Sequence, residues 1–238
     1  MNQVIQFNPN RYARIGGALY LLLIFVGMFS VLFVRDKLII PGDPAATARN
    51  IIGSESLWRS GIIADLVMHL LDIPIMLVLY VLLKPVNKNI ALLALLFNLV
   101  QTAVLVANKL NLVAALLPLG NAEYLHALDP RILQTQLYLS IKLHDIGFGI
   151  GLLFFGCTCI ANGWLIRKSN YLPGTIGILM QVAGVCYLAS NLLLLSNPTL
   201  ASKIFIFLML PCLIAELSFS LWLLIKGVNI KKWEARIA

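Results

Sequence analysis

Six long apolar stretches, each close to the length a helix needs to cross the hydrocarbon of a bilayer, decide what this chain can fold into. They lie at roughly 15–34, 61–83, 90–112, 143–166, 174–195 and 203–226. Inside lipid every backbone polar group must be satisfied by the protein itself, which leaves helices or a closed barrel. The runs are continuous rather than alternating, and that selects helices. Composition agrees, since 60% of the 238 residues are apolar and 12% are charged, whereas a soluble domain is about half apolar and a quarter charged. The expected fold is an all-α, polytopic membrane bundle of about six transmembrane helices, one domain over 1–238, with short outer amphipathic helices. The first run is too long for a signal-peptide core and has no small-residue cleavage site, so it reads as an uncleaved span.

The connections carry their own signals. Residues 84–89 and 167–173 are short enough to make spans 2/3 and 4/5 antiparallel hairpins. Asp43 followed by Pro44 predicts an N-cap and first helical position, opening a short helix that ends near Gly53. Asp129 and Pro130 repeat the device and open a helix that runs on into span 4.

Charge sets an orientation and excludes one class of partner. The net charge is +8. The basic residues stand dispersed at the ends of apolar runs rather than on one soluble face, so nucleic acid is not an expected partner. With the N-terminus inside, inner segments hold ten basic residues: Arg11, Arg14, Lys84, Lys88, Arg167, Lys168, Lys226, Lys231, Lys232 and Arg236. Outer segments hold six: Arg35, Lys37, Arg49, Arg59, Arg131 and Lys203. The positive-inside rule then predicts a multi-pass protein of the cell membrane with both termini cytoplasmic. Trp164, Trp222 and Trp233 fall towards the inner boundary and Trp58 towards the outer one, as interfacial aromatics do.

Polar residues inside the spans mark the candidate site, because a charge at bilayer depth costs at least ~2.5–3.5 kcal/mol on insertion scales and needs a partner or water. Asp65, His69 and Asp72 stand at i, i+4 and i+7 on one helix face. Span 3 carries Asn98, Gln101 and Asn108 as a rough stripe, with Lys109 beside it. Span 4 opens with Lys142, His144 and Asp145. Span 5 offers Gln181, Tyr187 and Asn191, and span 6 offers Glu216. The expectation is a polar pocket in the outer half, with Asp72 and Glu216 deepest, that binds a small ligand or ion. The alternative weighed beside it is interhelical glue, with acid and base simply pairing: Lys109 with Asp65, Lys142 with Asp145.

Gly147-x-x-x-Gly151 forms a small-residue face that would let another helix approach, in this chain or in a membrane partner. Pro74 and Pro211 lie within spans 2 and 6 and predict kinks. Cys157, Cys159, Cys186 and Cys212 all lie in apolar runs and read as small packing residues. None of the H-E-x-x-H, P-loop, G-x-G-x-x-G or G-x-S-x-G patterns occurs, so no catalytic residue is assigned and no cofactor is expected. His69 and His144 as haem ligands, or Asp65, His69, Asp72 and Glu216 as metal ligands of an intramembrane enzyme, are the remaining alternatives.

Five collinear stretches carry a resemblance. They are FVRDKLIIPGDPAATARNI (33–51), YVLLKPVNKNIALLALLFNLVQ (80–101), HDIGFGIGLLFFG (144–156), YLPGTIGILM (171–180) and AELSFSLWLLIKGV (215–228). As an ordered set they resemble the prokaryotic membrane family known as domain of unknown function 4386, over about residues 11–228. The resemblance implies a small helical protein of a prokaryotic cell membrane. It brings no activity, and alanine at 215 stands where glycine is expected.

Overall fold

The computed structural model describes residues 8–120 and 123–237, and among these it contains helices and no strand. In chain order they are α1 (Pro9–Met28), a π-helical segment (Phe29–Arg35), α2 (Asp36–Leu38), α3 (Pro44–Gly53), α4 (Glu55–Leu83) and α5 (Lys88–Ala114). Two 3-10 turns follow, Leu117–Leu119 and Glu123–Ala127, and then α6 (Pro130–Ser169), α7 (Gly174–Ser196), α8 (Pro198–Ile225) and α9 (Ile230–Ile237).

Among the described residues, six stretches are long and apolar enough to span a membrane: Pro9–Leu38, Glu55–Leu83, Lys88–Leu119, Pro130–Ser169, Gly174–Ser196 and Pro198–Ile225. Large apolar side chains stand outward along them, among them Phe207 at 73% exposed, Leu110 at 70% and Leu70 at 67%. Such surface is stable in lipid and not in water. The protein is therefore an integral membrane protein with six helical spans.

Local chemistry explains the helix ends. The Asp43 side chain accepts from the Ala46 amide at 2.8 Å, and Pro44 takes the first helical position of α3, as the Asp-Pro pair predicts. Helix α6 does run unbroken from Pro130 for 40 residues, so the second Asp-Pro pair opens a span as expected. Pro74 and Pro211 both lie inside helices that continue past them. Helix α9 went unpredicted, since eight residues rich in Lys, Glu and Arg carry little apolar signal.

Contacts divide the described residues into two compact units. The first comprises those of Met1–Leu21, Leu71–Gln101 and Leu152–Ala238, and the second Leu22–Leu70 and Thr102–Gly151. In the first unit, α6 and α7 meet backbone to backbone. A Cβ on Gly177 would lie 2.6 Å from the Gly163 carbonyl oxygen, and one on Gly184 would lie 2.6 Å from the Gly156 oxygen. Two glycine pairs, seven residues apart on each helix, thus let the axes approach as no larger residue would. The connections of this unit knot together at one end. The Leu82 carbonyl accepts from the Tyr171 hydroxyl at 2.6 Å and from the Trp233 indole at 3.3 Å, and the Asn229 amide donates to the Tyr171 carbonyl. Val228 donates to Asn10 Oδ1 at 2.7 Å. Burial pushes the Tyr171 hydroxyl up from its ordinary range, so it stays a donor.

The second unit has an apolar core in which Trp58, Ile51, Leu112, Leu137 and Ile141 are almost fully buried. Trp58 is thus a core residue here and not an interfacial one, with its indole N–H donating to the Leu112 carbonyl at 3.1 Å. A buried indole needs such an acceptor.

Candidate functional site

The eleven candidate ligand residues divide between the units. Asp65, His69, Asn108, Lys109, Lys142, His144 and Asp145 belong to the second, and Asp72, Gln101, Asn191 and Glu216 to the first. Each group is described within its own unit.

In the second unit the centre is Asp65, 1% exposed. Lys109 Nζ lies 3.0 Å from its Oδ2 and Arg35 Nη1 lies 2.6 Å from the same oxygen, while the Ser30 hydroxyl donates to Oδ1. The Lys109 pairing was weighed from the sequence. Arg35 and Ser30 were not, and the reason is the π segment. In an α-helix, residues five apart are turned by about 140°. A π turn bonds i to i+5 and brings them onto one side. Phe29–Arg35 is π-helical, and so Ser30 and Arg35 reach the same carboxylate. No apolar periodicity announces such a segment, and Arg35 reads from sequence as a loop charge.

From Asp65 the contacts lead outward. Lys109 Nζ stands 3.2 Å from His144 Nε2 and 5.3 Å from the Phe148 ring centre. An ammonium donates only, so a charged Lys109 makes Nε2 the acceptor and leaves the proton on Nδ1. His144 Nδ1 faces Asp145 Oδ1 at 3.7 Å, within ion-pair reach and beyond hydrogen bonding. Asp145 Oδ2 lies 3.3 Å from Lys142 Nζ, and both these side chains are about half exposed. The neighbouring Asn108 amide donates to the His144 carbonyl at 2.9 Å. Gly147 makes room for it, because a Cβ there would collide with the Asn108 side chain, and Gly151 does the same for Leu105. This glycine face is thus filled by α5 of the same chain. His69, 2% exposed, keeps its Nε2 without a hydrogen-bond partner.

The first unit handles its acid differently. Glu216 accepts from Tyr20 Oη at 3.0 Å on Oε2 and from the Tyr187 hydroxyl on Oε1. Tyr187 packs edge-on against Phe155, and Tyr20 against Phe219. Asn191 donates to the Tyr187 carbonyl at 2.8 Å, which steadies that turn of α7. Gln101 is buried with Oε1 unpaired. A cavity of about 30 Å³ lies here, with Tyr20, Asp72, Asn98, Thr158 and Asn162 in its wall. Of these, Tyr20, Thr158 and Asn162 were missed, because a lone polar side chain in an apolar run gives no pattern to follow.

Among the described residues no group of three or more His, Cys, Asp or Glu is placed to hold a metal ion. His144 Nε2 is engaged by Lys109.

Known proteins supply kinship without chemistry. A protein of Archaeoglobus fulgidus, itself described as uncharacterized, is 29% identical over 168 residues, which is 68% of this chain and 81% of that one. No solved structure matches the chain. The model of the family described as "Domain of unknown function (DUF4386)" matches residues 15–227, and the chain belongs to that family.

Proposed function

We propose that this is a proton-binding protein of a prokaryotic cell membrane, with Asp65, Lys109 and His144 as its working residues. One observation carries the reading. Side chains that can hold or give a proton stand in series from the fully buried Asp65, through Lys109 and His144, to the half-exposed Asp145, with steps of 3.0, 3.2 and 3.7 Å. Chains of acid, base and imidazole at bilayer depth are the usual means of moving protons there. The proton between Lys109 Nζ and His144 Nε2 has two seats: on Lys109 it leaves a neutral imidazole with its hydrogen on Nδ1, and on His144 it makes an imidazolium facing the Asp145 carboxylate. Two cations share one buried carboxylate, so releasing a proton also relieves an unbalanced charge.

Orientation supports the same setting. The end of the first unit where α1, α4, α9 and the connections after α6 and α8 are tied together carries Arg11, Arg14, Lys84, Lys231 and Lys232. By the positive-inside rule that end is cytoplasmic, and both termini with it.

The test is coupling along the series, read by NMR of the full-length protein in micelles with nitrogen-labelled histidine. His144 is assigned by its disappearance in His144→Gln. Asp65→Asn should move the His144 titration, as should Asp145→Asn. A His144 resonance that ignores Asp65→Asn would mean that the ion network is a static clasp between helices, and the proposal would fall.

A further inference from the structure

We infer that helix α9 builds a binding surface for anionic phospholipid headgroups on the first unit, with Lys231, Lys232 and Arg236 as its phosphate-facing side chains. The turn before α9 decides where the helix lies. Gly227 takes a φ of +67°, and its amide and that of Lys226 both bond back to the Trp222 carbonyl, at 3.0 and 2.8 Å. A Cβ at 227 would collide with the Asn10 side chain, so glycine is what fits this turn. The chain then comes back across the ends of the spans. Trp233, 6% exposed, gives its indole N–H to the carbonyl of Leu82, one residue short of the end of α4. That bond sets the depth of α9, because a span ends where hydrocarbon gives way to headgroups.

The faces of α9 suit that depth. By helical spacing Trp233, Ile237 and Ile230 share one face, and Lys231, Lys232 and Arg236 lie off it. Protein covers Trp233 but leaves Ile230 36% exposed and Ile237 55% exposed. Eight residues are too few for a helix to stand alone, so α9 depends on what it lies against. At the interface its isoleucines reach acyl chains while its long basic side chains reach phosphates. The neighbours add charge of the same sign. Lys226 precedes the turn, Lys84 follows α4, and Arg11 follows Asn10, whose Oδ1 accepts from the Val228 amide; all three basic residues are exposed. Glu234 is the lone acid of α9. These cations repel one another, and a layer of phosphodiesters offsets them where neutral headgroups would not. They are spread along an exposed helix rather than closed round a pocket, which fits a lipid surface rather than one soluble anion.

The proton series plays no part in this surface, and the test reads neither of its histidine states nor its acids. The full-length protein in dodecyl maltoside is unfolded thermally with added dioleoylphosphatidylglycerol, dioleoylphosphatidylcholine or inorganic phosphate, at one ionic strength. Phosphatidylglycerol should raise the midpoint saturably, and the other two should not. More salt should shrink the rise. The double variant Lys231→Gln, Lys232→Gln removes two exposed charges and keeps Trp233, so its midpoint without lipid should hold. Its half-saturating phosphatidylglycerol concentration should climb about fivefold for each charge removed. Arg236→Gln alone should give about one such step, and decides the matter if the double variant fails to fold. Lys203→Gln, in the first turns of α8 and far along that helix from α9, should change nothing. Equal responses to the two lipids, or a phosphate response matching that to phosphatidylglycerol, would overturn the inference. So would α9 variants that behave like Lys203→Gln.

Discussion

Asp65 and Glu216 are both buried carboxylates in lipid-facing helices, yet their surroundings treat them in opposite ways. Asp65 is clamped by an arginine and a lysine, with a serine on its other oxygen. Glu216 meets two tyrosine hydroxyls, and among the described residues no basic side chain pairs with it. The first arrangement holds an ionised acid by charge, and its stability rests on every member staying in place. The second holds a carboxyl by neutral donors and tolerates a change of charge far better. The difference shows that burial alone says nothing of an acid's role, and that its donors do.

Substitutions can break or sharpen this contrast. Asp65→Asn strands Arg35 and Lys109 without a counter-charge and should cost about 3–5 kcal/mol, read from unfolding in detergent. Adding Lys109→Met should return part of that loss, since the two sites are in contact. Next in size, Gly177→Ala drives a methyl against the Gly163 carbonyl. It should cost about 1–3 kcal/mol, as overpacking does, and would show that the first unit depends on backbone approach where the second depends on charge. Glu216→Gln keeps an acceptor for one tyrosine and loses one charge-assisted bond, so about 1–2 kcal/mol should go. A loss equal to that of Asp65→Asn would erase the contrast. Smallest is Lys142→Met, which removes a half-exposed i,i+3 pair and should change stability by less than about 1 kcal/mol.

The fold was legible because membrane helices are written in long apolar runs, and both Asp-Pro starts read correctly. Individual partners were less so. Lys109 could be matched to Asp65 from depth along antiparallel spans, but that argument cannot foresee a π turn, so Arg35 stayed in a loop. Spacing on one helix grouped Asp72 with Asp65 and His69, and all three do stand on α4, whose contacts pass from the second unit to the first after Leu70. A helical wheel knows which residues share a face and not which neighbour covers each turn of it. The seven-residue spacing of Gly156 and Gly163 on α6, matched by Gly177 and Gly184 on α7, was open to reading and was passed over for the closer Gly147–Gly151 pair.

The π segment has a consequence for descent as well as for contact. A π turn is a helix carrying one residue more than its path requires. Removing any one residue between Ser30 and Arg35 would let the stretch relax to ordinary α geometry, rotating everything on one side of the cut by about 100° against the other. Both Ser30 and Arg35 could not then reach Asp65. Family members that keep the clasp should therefore conserve the length of this stretch more strictly than its letters, so that related chains gain and lose residues in the connections and never between 30 and 35.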